Sequence, residues 1–577
     1  MATETGSAGA TITRPADVGL KREMGLIGAI WSSESSIIGS GWLFASLYAT
    51  QDAGASAIYA WIIGGAAVLI LAFVHAELGA MFPVAGGTAR FPHIAFGGIA
   101  GIQFGFFSWL QAVCIAPVEC YAVMHYAHYW WPAIFNPTTG VPTGLGLFLT
   151  VVLLASFTFI NFFGIGWLSK INSGIMWWKL IIPLLAIVVL LFKWHSGNWS
   201  IGAPGPIVKS TGLHVNGSGG FAPFGAKGVL DAVVGAGIVF SYLGFEQADQ
   251  LAGEIKNPQK NLPRAIIGAM LIGTFVYIMV QVVFIAAMDP HQLVNGFPGI
   301  SNTNVLSGPI AGLAGLAGLG LLATILRIDA FVSPYGTGLI YLTSTSRVTY
   351  GLARNRYLPQ IFQRTDARGV PWASMILSFV AGCAFLLPFP TWQSIVSLTT
   401  GASVLMYIGA PLSLTAFRRR LPDAARPYRM PAALIISPLA FIVASLLIYW
   451  SGFEALWKLG ICIVIGYVII GVCMAFDAER PRLGRKEVIA AAWLPVYIIG
   501  MGLISWNGQF SGGAVLAPLN TGRIPFWVDI PVVAAWALII FAWAYFASLP
   551  REEMELVIGE QAGVAADISA IDPGVAG

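Results

Sequence analysis

The chain is a succession of apolar runs, each about as long as a lipid bilayer is thick. A helix rising about 1.5 Å per residue needs roughly 20 mostly apolar residues to cross the hydrocarbon layer. Such runs fall near 24–49, 57–81, 96–130, 145–164, 172–193, 229–252, 263–288, 311–346, 373–389, 392–417, 431–450, 455–476, 487–506 and 527–548. They predict an all-α integral membrane protein with about fourteen transmembrane helices. Composition agrees: only 10% of the residues are charged, against ~25% in soluble domains.

Charge placement orients the spans. If the N-terminus is cytosolic, only Lys193, Lys209, Lys227, Lys458 and Arg523 lie outside, and Lys179 and Arg327 lie within spans. All other Lys and Arg fall on the cytosolic side, as the positive-inside rule requires. The basic stretches 417–429 and 479–486 are therefore read as topology signals of cytosolic loops, not as nucleic-acid sites. Residues 1–20 lack the apolar core of a cleavable signal. The expected location is the cell inner (plasma) membrane, multi-pass, with both termini cytosolic.

Two spans carry glycine and polar residues where a plain membrane helix would not. The first is "ESSIIGSGWLF" (34–44), and the second lies within 233–266, "VVGAGIVFSYLGFEQADQLAGEIKNPQKNLPRAI". Irregular backbone at membrane depth is tolerated where it lines a cavity or is buried in protein. Interruptions five spans apart point to a secondary transporter with inverted repeats. The expected organisation is an N-terminal tail (1–23), a first repeat (24–193), an external loop (194–228) and a second repeat (229–417). Accessory spans (431–548) and a C-terminal tail (549–577) follow.

At the first break, the N-terminus of the outer half-helix near Ser40 and Gly41 would attract a carboxylate. Carbonyls near Ser36 and Ile37, and near Phe240 and Ser241, would accept bonds from an ammonium. Gly39, Tyr242 and Gly244 complete the lining of the two breaks. The arrangement suits a zwitterionic amino acid.

The segments "IIGSGWLF" (37–44), "AELGAMFPVAGGTARFP" (76–92), "FSYLGFEQADQLAGEIKNPQKNLPRAI" (240–266) and "TSRVTYGLARNRYLP" (345–359) together resemble the amino acid–polyamine–organocation permeases. With two extra spans and the segments "GFAPFGAKG" (220–228) and "LPFPTW" (387–392), the chain looks most like bacterial aspartate–proton symporters of that superfamily. The resemblance implies a LeuT-type core of five plus five inverted spans with broken helices one and six. Substrate would sit between spans one, three, six, eight and ten. It also implies that Phe240 lies over bound substrate and that Glu246 takes part in gating. Lys179 would place its ammonium where sodium sits in sodium-coupled relatives, against the broken backbone and span eight near Ser333 to Thr337. One departure stands out: Ser32, Ser33, Glu34, Ser35 and Ser36 replace the small apolar residues usual before the first glycine.

Ionisable groups at membrane depth are costly and default to functional candidates. Here they are Glu34, Glu119, Glu246, Asp329, Lys179 and Arg327. Asp329 and Ser333 share a helix face, whereas Arg327 and Asp329 diverge. For an acidic substrate, Arg327 or His125 would pair with the second carboxylate. For a cationic one, Glu34, Glu119 or Asp329 would serve.

Other chemistries find little support. There is no phosphate-binding glycine loop, no HExxH and no hydrolase elbow. The five cysteines (Cys114, Cys120, Cys383, Cys462, Cys473) read as packed thiols. The seven histidines make no metal-ligand pair within a span, and no channel filter is evident. The sequence therefore predicts a permease without enzymatic activity, cofactor or metal. Its partners are an amino acid, protons and membrane lipids. Symport of aspartate or glutamate leads, and import or exchange of cationic amino acids or polyamines is the alternative.

Overall fold

A computed structural model describes residues 24–559 apart from 84–86, 137–140, 164, 203, 208–213, 217–219, 251, 253–254, 367–368, 390, 478–480, 482 and 511–519. The tail expected at 1–23 lies outside the described residues, as do 560–577 of the C-terminal one. Ten helical segments among the described residues are long and apolar enough to cross a membrane. The other expected spans are helical too, but each differs physically from a plain apolar rod. Spans one and six are broken, and span eight (Gly320–Arg354) is rich in hydroxyl side chains. Span nine (Trp372–Leu386) has only 15 residues.

Span eight shows the largest boundary difference from expectation, since it was read as 311–346. Gly318, with φ of 76°, turns the chain there, so Pro309–Leu316 forms a separate short helix. The loop at 194–228 is also not wholly irregular. Pro204–Ile207 and His214–Asn216 pair as a small antiparallel hairpin, the described exception to a helical fold.

The two ends of the bundle differ in charge. One carries Lys256, Arg354, Arg356, Arg418, Arg419, Arg420, Arg426, Arg485, Lys486 and Arg551 and is called the basic end below. Its loops are cross-tied: Lys256 N–H donates to Met24 O, Leu549 N–H to Ala95 O, and Arg551 pairs with Asp423. At the opposite end Ser56 N–H donates to Phe221 O and Phe453 N–H to Phe510 O.

Spans five apart pack on each other: two (Ala57–Met81) along seven (Pro258–Ala287), three (Gly98–Ala127) along eight, and four (Gly144–Asn161) against nine. Because successive spans alternate in direction, these partners run antiparallel, as inverted repeats require. Span ten (Trp392–Tyr407, continued by Gly409–Arg420) also packs along span three.

The broken spans cross at the centre. Span one is Leu26–Ile37, a non-helical stretch 38–40, then Gly41–Ala53. Span six is Gly225–Gly235, Ile238–Ser241 and Gln247–Gln250. Its open stretch, 242–246, begins just after the Phe240–Ser241 position expected from sequence. Gly41 lies directly on Ser241, and Gly244, with φ of 118°, lies on the end of the first half of span one. A Cβ at Gly244 would stand 2.7 Å from Ser36 Cβ and 2.9 Å from the Ile37 nitrogen.

Gly244→Ala must therefore strain the backbone and push the two breaks apart. Strain of this kind costs on the order of 1–3 kcal/mol. The purified variant is expected to melt below wild type in detergent, and an unchanged melting temperature would contradict this close crossing.

Candidate functional site

A helix broken in hydrocarbon must find partners for the N–H and C=O groups it frees. At the span-one break those partners come from four other spans, and a fifth bonds the Ser40 side chain. Ser35 O accepts from Lys179 Nζ of span five (Ile165–Leu191) at 2.6 Å. Ile37 O accepts from Tyr277 Oη of span seven at 2.7 Å. Thr337 of span eight reaches Ile38 O at 3.4 Å. On the far side of the break, Ser40 N–H donates to Glu119 Oε2 of span three at 2.8 Å, and Ser40 Oγ donates to Oε1 at 3.0 Å. Trp392 Nε1 of span ten donates in turn to Ser40 Oγ at 3.0 Å.

Small residues make room for this network. A Cβ at Gly39 would stand 2.8 Å from Glu119 Oε1 and 3.0 Å from Thr337 Oγ1. One at Gly336 would press on the Lys179 Cε and Nζ at 3.4 and 3.5 Å. The side chain of Lys179 is fully buried, and its ammonium also bonds Thr337 Oγ1 at 2.7 Å. Glu119 and Asp329 both lie within electrostatic reach of it. Asp329 accepts from Ser333 Oγ at 2.7 Å.

Aromatic rings cover the break toward the opposite end. Trp392 packs on Phe44, Tyr48 and Phe240, with centroids 5.2, 5.8 and 5.8 Å away. Toward the basic end a polar cluster closes the other side. Glu246 Oε2 accepts from Gly244 N–H at 2.9 Å and Tyr407 Oη at 2.7 Å, and Tyr341 Oη stands 3.5 Å from Oε1. His75 of span two meets Asp249 of span six at 3.2 Å, its ring against Phe245 and Tyr407. Further toward the basic end, buried Glu77 takes a bidentate bond from Arg418 at 2.8 and 2.7 Å and one from Met430 N–H at 2.7 Å. The breaks are thus closed on both sides.

The sequence-selected residues divide into two groups. Ser36, Ile37, Gly39, Ser40, Gly41, Glu119, Lys179, Ser241, Gly244 and, one layer out, Phe240, Glu246, Asp329 and Ser333 surround the crossing. Four others do not. Arg327 lies roughly 15 Å along span eight from Thr337, its guanidinium 3.6 Å over the Tyr129 ring. Tyr242 points into spans two and seven, donating to Trp61 O at 3.2 Å and packing on Tyr277. Glu34 is buried facing span seven beside Tyr277, and neither oxygen has a hydrogen-bond partner among the described residues. His125 packs between Phe44 and Phe135 instead of reaching the break.

The ammonium sites read at Ser36 and Ile37 also differ in detail. Lys179 and Tyr277 already occupy Ser35 O and Ile37 O. Sequence reasoning missed Trp392, Tyr277 and the His75–Asp249 pair. An indole in "LPFPTW" and a histidine inside an apolar run were the available signals.

A helical membrane bundle with two broken spans crossing at a buried polar centre defines a membrane carrier. The chain belongs to the amino acid permease family, whose model matches residues 24–473. It is 33% identical to the aspartate-proton symporter of Bacillus subtilis (strain 168) over 538 residues, covering 93% of this chain and 98% of the relative. It is 34% identical to the glutamate/serine transporter AimA of the same organism over 543 residues, covering 93% and 96%. The human Asc-type amino acid transporter 1 is 24% identical across 81% of this chain and 84% of its own.

The Glu77 clamp gives a test of how the basic end is held. Arg418→Ala leaves a buried carboxylate without its bidentate partner, a loss of about 3 kcal/mol or more. A lowered melting temperature is expected, only partly restored in Arg418→Lys, which lacks the planar fork that matches both carboxylate oxygens. Equal stability of Arg418→Ala and wild type would show that the clamp holds nothing.

Proposed function

We propose that this protein is a secondary symporter that carries an acidic amino acid, aspartate or glutamate, together with protons by alternating access. The observation that carries this reading is the carboxylate already seated on Ser40 N–H and Oγ. It marks the N-terminus of the second half of span one as a fitted site for an anionic group. The α-carboxylate of a substrate takes those donors, and its ammonium takes carbonyls of the open stretch of span six. The names of the two Bacillus relatives support the acidic substrate and the proton.

A second, side-chain carboxylate needs a cation nearby. An ammonium has three donors, and Lys179 spends two on Ser35 and Thr337, leaving one for substrate. Arg327, half-buried at the mouth of span eight over Tyr129, meets the acidic substrate on entry. Phe240 and Trp392 close over it from one side, and the Glu246–Tyr407 cluster closes the other. In this reading the basic end faces the cytosol, and residues 24–193 and 229–417 form the two moving repeats.

Buried acids outnumber bases around the break, with Glu119 and Asp329 against Lys179. That imbalance favours a second reading, a carrier of cationic amino acids or polyamines. Labelled uptake into proteoliposomes, with and without an inward proton gradient, separates the two. Aspartate is expected to accumulate only with the gradient and to be displaced by unlabelled aspartate or glutamate but not by lysine. If aspartate fails to compete at any pH while lysine does, the acidic reading falls.

Two variants probe the assigned roles. Lys179→Ala is expected to abolish gradient-driven accumulation, and normal uptake by the folded variant would remove Lys179 from the mechanism. Phe240→Ala is expected to weaken substrate binding by more than a few-fold while the protein stays folded; unchanged affinity would reduce Phe240 to packing.

A further inference from the structure

Under the reading above, substrate needs the two donors of Ser40, yet the protein spends both on its own side chain. Each oxygen of Glu119 is used, one on the Ser40 N–H and one on its Oγ. The fit is built: Gly39 lacks the Cβ that would collide with Oε1, and Glu119 is buried on the continuous helix Gly98–Ala127. One pair of donors cannot serve two carboxylates, and two anions side by side in a dry site repel.

We propose that Glu119 is a tethered competitor of the substrate's α-carboxylate. Ionised, it holds Ser40 in the unloaded state. On taking up a proton it becomes a neutral acid, loses its charge-assisted bonds, and yields both donors to the incoming carboxylate. On the far side substrate leaves, the proton leaves, and the carboxylate returns to Ser40. One proton therefore accompanies each substrate, carried on Glu119. The proposal rests on the acidic-substrate reading and supplies its coupling step.

The titratable groups that face Glu119 are Lys179 of span five, Tyr277 of span seven, Tyr341 of span eight and Cys120 of its own helix, with Asp329 acting through Lys179 and Cys383 through Cys120. Of these, Lys179 also stands at the break. Its ammonium binds Ser35 O and Thr337 in the unloaded protein and also pairs with the substrate's side-chain carboxylate in the loaded one, so it stays charged in both and carries no proton across. Trp392 extends the consequence: its indole N–H is bonded to the same Ser40 Oγ. Exchange of one carboxylate for another is therefore felt by the aromatic layer that covers the break.

The test measures equilibrium binding of labelled aspartate to the full-length protein across a pH series, together with proton movement during uptake into proteoliposomes. Wild type is expected to lose affinity as pH rises, approaching tenfold per pH unit where Glu119 is ionised in the unloaded protein. Glu119→Gln cannot ionise and is expected to bind aspartate with an affinity that pH no longer changes, and its uptake moves no protons. A folded Glu119→Gln that keeps the wild-type pH slope or still moves protons overturns the proposal.

If that variant does not fold, Glu119→Asp decides. Its shorter arm cannot hold both donors, so aspartate is expected to bind more tightly than in wild type at alkaline pH. Unchanged or weaker alkaline binding overturns the proposal. Wild type that binds neither aspartate nor glutamate at any pH overturns the acidic-substrate reading itself, before any variant is compared.

Discussion

Three residues of backbone, 38–40, set the terms for the rest of this structure. They lie where neither water nor lipid can satisfy a freed N–H or C=O, and each unsatisfied group there costs several kcal/mol. The chain meets that demand by converging side chains from spans three, five, seven and eight on one point. Lys179, Tyr277 and Thr337 serve the carbonyl side, while Glu119 serves the N–H side. An ammonium on the carbonyls and a carboxylate on the N–H follow the polarity of the two half-helix ends. The break is thus held together by the protein's own charges.

Closure on both sides follows from how the two broken spans cross. Gly41 on Ser241 and Gly244 on Ser36 bring the breaks into contact, which leaves the aromatic layer around Trp392 and the polar cluster around Glu246 as two separate covers. One is made of ring faces, tied to the break by the Trp392–Ser40 hydrogen bond. The other is made of hydrogen bonds among Glu246, Tyr407 and Gly244, which must be replaced when it opens. Beyond it, the Arg418–Glu77 clamp ties span two to the end of span ten.

Much of this was legible in the residues. Long apolar runs located the helices, and Gly39-Ser40-Gly41 located the break, because clustered glycine and serine are costly inside a membrane helix. The family resemblance placed Lys179 against the broken backbone and span eight near Ser333 to Thr337, where it bonds Ser35 O and Thr337. What the sequence left open is helix rotation. A span that is apolar all round has no face marked as inward, so Glu34, Glu119 and Arg327 were equal candidates. Only the packing turns Glu34 to span seven, Arg327 to Tyr129 and Glu119 to Ser40. Trp392 and His75 escaped for a related reason: each is paired with a residue far away in sequence, Ser40 and Asp249. Gly318 in turn shifted the start of span eight, because a left-handed glycine ends one apolar helix and allows the next to begin.

In the proposed mechanism the span-one break is the seat of the substrate carboxylate. An experimental structure of the protein with aspartate bound tests it most directly. The α-carboxylate is expected within hydrogen-bonding distance of Ser40 N–H and Oγ, with the Glu119 carboxyl displaced from both. Aspartate bound elsewhere, with Glu119 still on Ser40, would contradict it.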